Sequence, residues 1–184
     1  MLNPLSRRRN HAKVSGVNPK NPLHKQLENE RFARAISHVE QTAYTIKRLN
    51  SVELARLNQM LNGHSEEPWR FDPASIQIPT GKVHQISMMS NPLHVARDIL
   101  ELANQIAVQD LIEGAFQVYA KLVLAHLFND ANRRTAALAT LWFMRAHGGD
   151  VDAVKLAETQ VGDLREESDL QKLRKEFILI AKKA

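Results

Sequence analysis

Apolar residues recur at helical spacing over most of the chain, and polar breaks divide them into segments. From about Leu23 to Leu49, Leu27, Phe32, Ala35, Ile36, Val39 and Ala43 fall mostly three and four apart, which predicts a helix. Ser51 caps a second, with Val52, Leu54, Ala55, Leu57, Met60 and Leu61 as its apolar content and Asn62-Gly63 as its stop. His64 to Pro73 is polar and reads as a loop, with Trp69 and Phe71 available to pin it. Ile76 and Ile78 then alternate with polar residues, Pro79-Thr80-Gly81-Lys82 reads as a turn, and Val83 to Ile86 can pair back as a hairpin. Gly81 supplies the left-handed backbone that a tight turn needs. Asn91-Pro92 opens a helix to about Val108. The spans Asp110–His126 and Asn132–Ala146 follow, both apolar over most of their girth and therefore central. Asp150 caps a short helix to about Glu158. Asp163 caps a last one, Leu164 to about Lys182, with a late apolar cluster from Leu170 to Ile180. The expected fold is all-α: a helical bundle around two central helices, with one small β-hairpin.

Composition adds exclusions. The chain has 184 residues and no cysteine, so disulfides, thiolate metal sites and thiol nucleophiles are excluded. No signal-like segment or long apolar run is present, so no membrane contact is expected and the cytoplasm is the default location. The net charge of +5 is unevenly placed. Arg7, Arg8, Arg9, Lys13, Lys20 and Lys25 lie in residues 1–25 with no acid. The other 19 basic residues face 20 acidic ones. Residues 1–22, broken by Pro4, Gly16, Pro19 and Pro22, read as a basic, flexible tail, and residues 23–184 as one domain. Such a tail either solubilises the chain or touches nucleic acid or another anionic surface.

The densest polar chemistry is His126-Leu127-Phe128-Asn129-Asp130-Ala131-Asn132-Arg133-Arg134, which interrupts the two most apolar helices. Placing these groups against a core costs desolvation unless they are used. The first-turn N–H groups of the helix from Asn132 lack intrahelical acceptors and, with the helix dipole, favour an anion. Arg133 and Arg134 add donors that suit phosphate. Asp130 is a hard oxygen ligand suited to Mg²⁺ on phosphate oxygens. His126, at the end of the preceding helix, can take a proton from a hydroxyl. Together these are the parts needed to transfer a phosphorus group to a hydroxyl. The bland alternative is a capped helix start with surface arginines.

The string from His126 to Ala136 resembles the signature of the Fic/Doc (Fido) family. The Fic form is HPFx[D/E]GNGRxxR, and the Doc-type form, HxFxDANKR followed by TA, is nearer. The resemblance is strongest over residues 91–149. It implies a Fic-like bundle and a Mg²⁺-dependent transferase using ATP or another nucleoside triphosphate. His126 would then be the base, Asp130 the Mg²⁺ ligand, and Phe128 the core anchor of the loop. Asn132 would bind phosphate and order the loop, and Arg134 would clamp phosphate. Backbone N–H groups from Ala131 to Arg133 would form the anion hole. The hairpin, through Ile76, Ile78, Gly81, Val83 and His84, would be the flap that docks a protein substrate. Arg133 replaces the second motif glycine, where Doc-type members carry Lys, and Ala137 replaces the final motif Arg. Both changes point to Doc-like phosphate transfer onto Ser, Thr or Tyr, with AMP transfer as the alternative. The family's inhibitory pattern [S/T]xxxE[G/N] is absent. The nearest string, His24 to Asn29, begins with His, so Glu28 is expected to be an ordinary helix acid. A toxin held by a separate antitoxin protein would fit. The rival of another class is a basic-tailed nucleic-acid-binding or non-catalytic interaction protein.

Overall fold

A computed structural model of the chain describes residues 22–46, 48–77, 81–87 and 89–182. The basic tail, Ile78 and the Pro79-Thr80 half of the predicted turn lie outside the described residues. Seven helices and two small antiparallel pairs occur in the described residues: α1 (Pro22–Thr42), α2 (Ser51–Asn62), β1 (Ala74–Gln77), β2 (Val83–Ile86), α3 (Pro92–Ala107), α4 (Leu111–Ala125), α5 (Asn132–Ala146), β3 (Asp150–Val151), α6 (Ala153–Glu158), α7 (Glu167–Ile180) and β4 (Ala181–Lys182). The mostly helical expectation holds, as does the hairpin.

α5 is the centre. Eleven of its residues, from Asn132 to Met144, are buried, and α1, α2, α4 and α6 pack around it. α4 contributes Phe116, Tyr119 and Leu122 to the same core. Gly114 lets α4 approach α3 closely, because a Cβ there would lie 2.8 Å from the Ala103 carbonyl oxygen. The Tyr119 hydroxyl donates to the Leu156 carbonyl at 2.9 Å, which ties α6 to the centre. Burial pushes the Tyr119 pKa up to about 12, so the phenol stays a donor.

Four helix starts are capped by Asn or Asp side chains: Asn50 on α2, Asn91 on α3, Asp110 on α4 and Asp152 on α6. Two of these correct the sequence reading, since Asn50 rather than Ser51 and Asp152 rather than Asp150 accept the orphan N–H groups. Asp150 instead enters β3, which pairs with β4 at the other end of the folded chain (Asp150↔Lys182, Val151↔Ala181). α1 stops at Thr42, short of Leu49, and α7 starts at Glu167 rather than Leu164, with Glu166 rather than Asp163 at its N-cap. The expected apolar cluster on α7 is only partly inward: Leu173 and Phe177 are buried, while Ile178 and Leu179 are exposed. Phe71 is also exposed, so Trp69 alone of that pair pins its loop.

Candidate active site

The loop between α4 and α5 is held in an unusual backbone shape. His126 (φ 49°) and Ala131 (φ 56°) are the non-glycine residues with positive φ among the described residues. They stand at the two ends of the loop. A left-handed conformation costs a side-chain-bearing residue about 1–2 kcal/mol, so surrounding contacts must impose it.

Those contacts are on view. Asn132 spans the loop: its side-chain carbonyl accepts the Phe128 N–H at 2.9 Å, and its NH₂ donates to the Phe128 carbonyl at 2.8 Å. The amide thus clasps the loop at the Phe128 backbone. Phe128 is buried and stacks on Trp69 with ring centroids 4.8 Å apart. The two residues also pair through an isolated antiparallel bridge, and the Asn129 N–H donates to the Pro68 carbonyl at 3.1 Å. Trp69 is thus the floor on which the loop rests. Asn58, fully buried on α2, donates to the Asp130 carbonyl and the Thr135 hydroxyl, each at 2.9 Å.

The start of α5 is left open by this arrangement. Ala131 is its N-cap and makes no side-chain cap bond. The first amide in the α5 ladder to find a carbonyl is that of Thr135, on Ala131. The N–H groups of Asn132, Arg133 and Arg134 precede it and face the loop end of the helix, whereas the Ala131 N–H, expected in the anion hole, donates to Asp130 Oδ1. This is the opposite of the Asn- and Asp-capped starts of α2, α3, α4 and α6.

A cleft of about 850 Å³ opens at this point. His126, Asn129, Asp130, Ala131, Asn132, Arg133 and Arg134 line one side. Lys25, Glu28 and Phe32 of α1 form a second wall, the hairpin a third, and residues from Val154 to Arg165 a fourth. The sequence-predicted loop residues are therefore brought together around one space; Phe128 supports them from beneath. In the hairpin, Ile76 pairs with His84 across the ladder, and these two and Gly81 line the cleft. Val83 points the other way and is exposed, a consequence of strand alternation.

Charge within the cleft is arranged unevenly. Burial, then the nearby Arg70 cation, lower the His126 pKa below the ordinary value of 6.5, against a smaller opposing pull from Asp130. Both effects favour the neutral imidazole, the form that can accept a proton. Arg134 donates to the Glu28 carboxylate at 3.1 Å. Glu28 sits in the second turn of α1 and does more than the ordinary helix acid expected of it. The Arg133 guanidinium donates to the Ala157 carbonyl at 3.1 Å, near the end of α6. Asp163, in the fourth wall, meets the hairpin: its Oδ2 lies 2.9 Å from His84 Nε2, a close electrostatic contact rather than an aligned hydrogen bond. Arg165 donates to the other His84 ring nitrogen.

Sequence reading missed Arg70, Asn58 and the partners of His84. Asn58 left a trace, as a polar residue amid Leu54, Leu57 and Leu61 on the buried side of α2. Arg70 left another, as a cation between two aromatics in an anchored loop.

A helical bundle with a cleft of about 850 Å³ at the uncapped start of its central helix, walled on one side by a hairpin, is the arrangement this chain presents. Residues 48–144 match the Fic/DOC family model, and the chain belongs to that family, whose members are transferases. "Protein kinase doc" of Escherichia phage P1 is 35% identical over 79 residues, 40% of this chain and 62% of that protein; the chain spans about three fifths of the length of this curated relative. Solved structures share the fold. A Fic domain-containing signaling protein from Bacteroides thetaiotaomicron superposes with a TM-score of 0.65 at 15% identity, over 90% of this chain and 70% of that one. The N-terminal Fic domain of a VirB-translocated Bep effector protein from Bartonella quintana, solved with bound ADP, gives 0.61 at 16% identity, over 90% and 92%.

Proposed function

We propose that residues 23–184 form one domain that transfers the γ-phosphate of ATP, or another nucleoside triphosphate, to a Ser, Thr or Tyr hydroxyl of a protein. The observation that carries this reading is that the uncapped α5 start and the His126 side chain line one cleft. His126 takes the proton of the target hydroxyl. The hydroxyl oxygen then forms a bond to the γ-phosphorus, and the bond to the β–γ bridging oxygen breaks, releasing the nucleoside diphosphate. The Asn132, Arg133 and Arg134 N–H groups bind phosphate oxygens without reorganising, the arrangement that stabilises developing negative charge. Arg134 adds a guanidinium once it leaves Glu28. Residues Ile76, Gly81 and His84 offer the target a strand-like edge, with Val83 on its outer face.

No group of three or more His, Cys, Asp or Glu side chains among the described residues could hold a metal alone. Asp130 is exposed and offers one carboxylate. That donor set fits Mg²⁺, which binds through one or two carboxylates together with substrate phosphates. Bound there, the ion would neutralise phosphate charge and orient the chain of phosphates.

Phosphate rather than AMP transfer is favoured by two positions. Arg133 puts a long cation where Fic enzymes carry glycine. Ala137, fully buried, supplies no guanidinium where they carry the second Arg. The similarity to the phage P1 kinase also leads us to infer a Doc-like toxin with an antitoxin partner. Incubation with a cell lysate and ATP labelled at either the α- or γ-phosphate tests the reaction. Label from γ alone on protein, lost in His126→Ala, is the expected result. Label from α would assign AMP transfer, and no label from either position would refute the enzyme.

A further inference from the structure

We propose that Arg70 is a positioning residue that couples the β-hairpin to the His126 loop, through one buried guanidinium that holds both roots of the hairpin and the carbonyl at which α4 ends. This inference rests on the role given above to His126. Arg70 is 4% exposed. Its Nε donates to the His126 carbonyl at 2.7 Å. Its Nη1 donates to the Asp72 carbonyl, just before β1, and to the Ser87 carbonyl, just after β2, at 3.3 Å. Its backbone N–H donates to the Leu127 carbonyl at 2.8 Å.

Three features make this more than packing. Its acceptors are two residues that root the hairpin and two that open the loop, so movement of either unit changes the hydrogen bonds of the other. The His126 carbonyl sits at the negative end of α4, where a cation is electrostatically favoured and where the left-handed His126 backbone needs support. Finally, Nη2 is buried with no partner. An unpaired buried donor costs free energy that an apolar side chain of similar length would avoid. The guanidinium is kept at that cost because its planar fork reaches two carbonyl groups and a third in fixed geometry. A lysine ammonium, with a single nitrogen, cannot.

Arg70→Met removes the fork and Arg70→Lys keeps the charge without it. Amide exchange by mass spectrometry should show faster exchange in residues 74–77 and 83–86 together with 126–131 in both variants, and little change in α3. In the transfer assay kcat should fall about 10- to 100-fold, the cost of a misplaced reacting group, while nucleotide KM stays within about twofold and Arg70→Lys recovers part of the loss. If Arg70→Met does not fold, Arg70→Lys carries the test. Exchange that rises in only one of the two segments, or a kcat unchanged in Arg70→Lys, overturns the proposal. A wild-type chain without transfer activity would refute the functional reading alone, and the coupled exchange would still decide the role of Arg70.

Discussion

His126 and Arg134 each meet a charged neighbour that sequence spacing does not disclose. Desolvation and the Arg70 charge disfavour a second proton on the His126 ring. The folded-state pKa therefore lies below 6.5, and the base form persists as pH falls past the point where a free histidine would be half protonated. The acid limb of kcat/KM against pH should fall below pH 6.5; a limb above it would place the base elsewhere. The same shift means the unfolded chain takes up the His126 proton first on acidification, so this group lowers stability progressively as pH drops below its unfolded value. Arg134 has a different restraint. Its partner Glu28 holds the guanidinium that would meet phosphate, in a half-exposed pair worth about 0.2–1 kcal/mol. Glu28→Gln should tighten nucleotide binding by roughly 1.5- to 5-fold, measured by titration calorimetry. Weaker binding would mean that Glu28 supports the site instead.

Among the elements, those specified by local signals were legible in advance. Asn91-Pro92 fixes the start of α3, and the apolar girth of α4 and α5 marks them as central. The loop between those two helices was legible because its chemistry is contiguous. What escaped is long-range. β3 and β4 pair residues separated by about thirty positions, and each strand is two residues long, too short to leave a period. The hairpin was readable from alternation, but its attachment was not, because His84 finds Asp163 and Arg165 only after α6 and α7 are packed. A two-stranded ribbon is marginal alone, so this attachment should hold it over the cleft. His84→Ala should speed amide exchange in 83–86 by about fivefold, for a loss near 1 kcal/mol, with the α5 amides unchanged. Unchanged exchange in the hairpin would show that its roots suffice.

Across the whole molecule, the cleft is built from parts far apart in the chain. The segment matching the Fic/DOC family, residues 48–144, supplies the loop, the open helix start and the hairpin. The wall from Glu28 and the wall from Val154 to Arg165 lie outside it. The loop and the hairpin thus come from the family segment, and the other two walls come from the helices and loop on either side of it. No described helix is long and apolar enough to cross a membrane. The account stands on a triphosphate lying at the amino end of α5, and a crystal structure with Mg²⁺ and a non-hydrolysable ATP analogue addresses it. Phosphate oxygens at about 3 Å from the Asn132, Arg133 and Arg134 N–H groups, with the terminal phosphate facing the His126 ring, are the expected result. A nucleotide bound elsewhere, or with its phosphates turned away from α5, would contradict it.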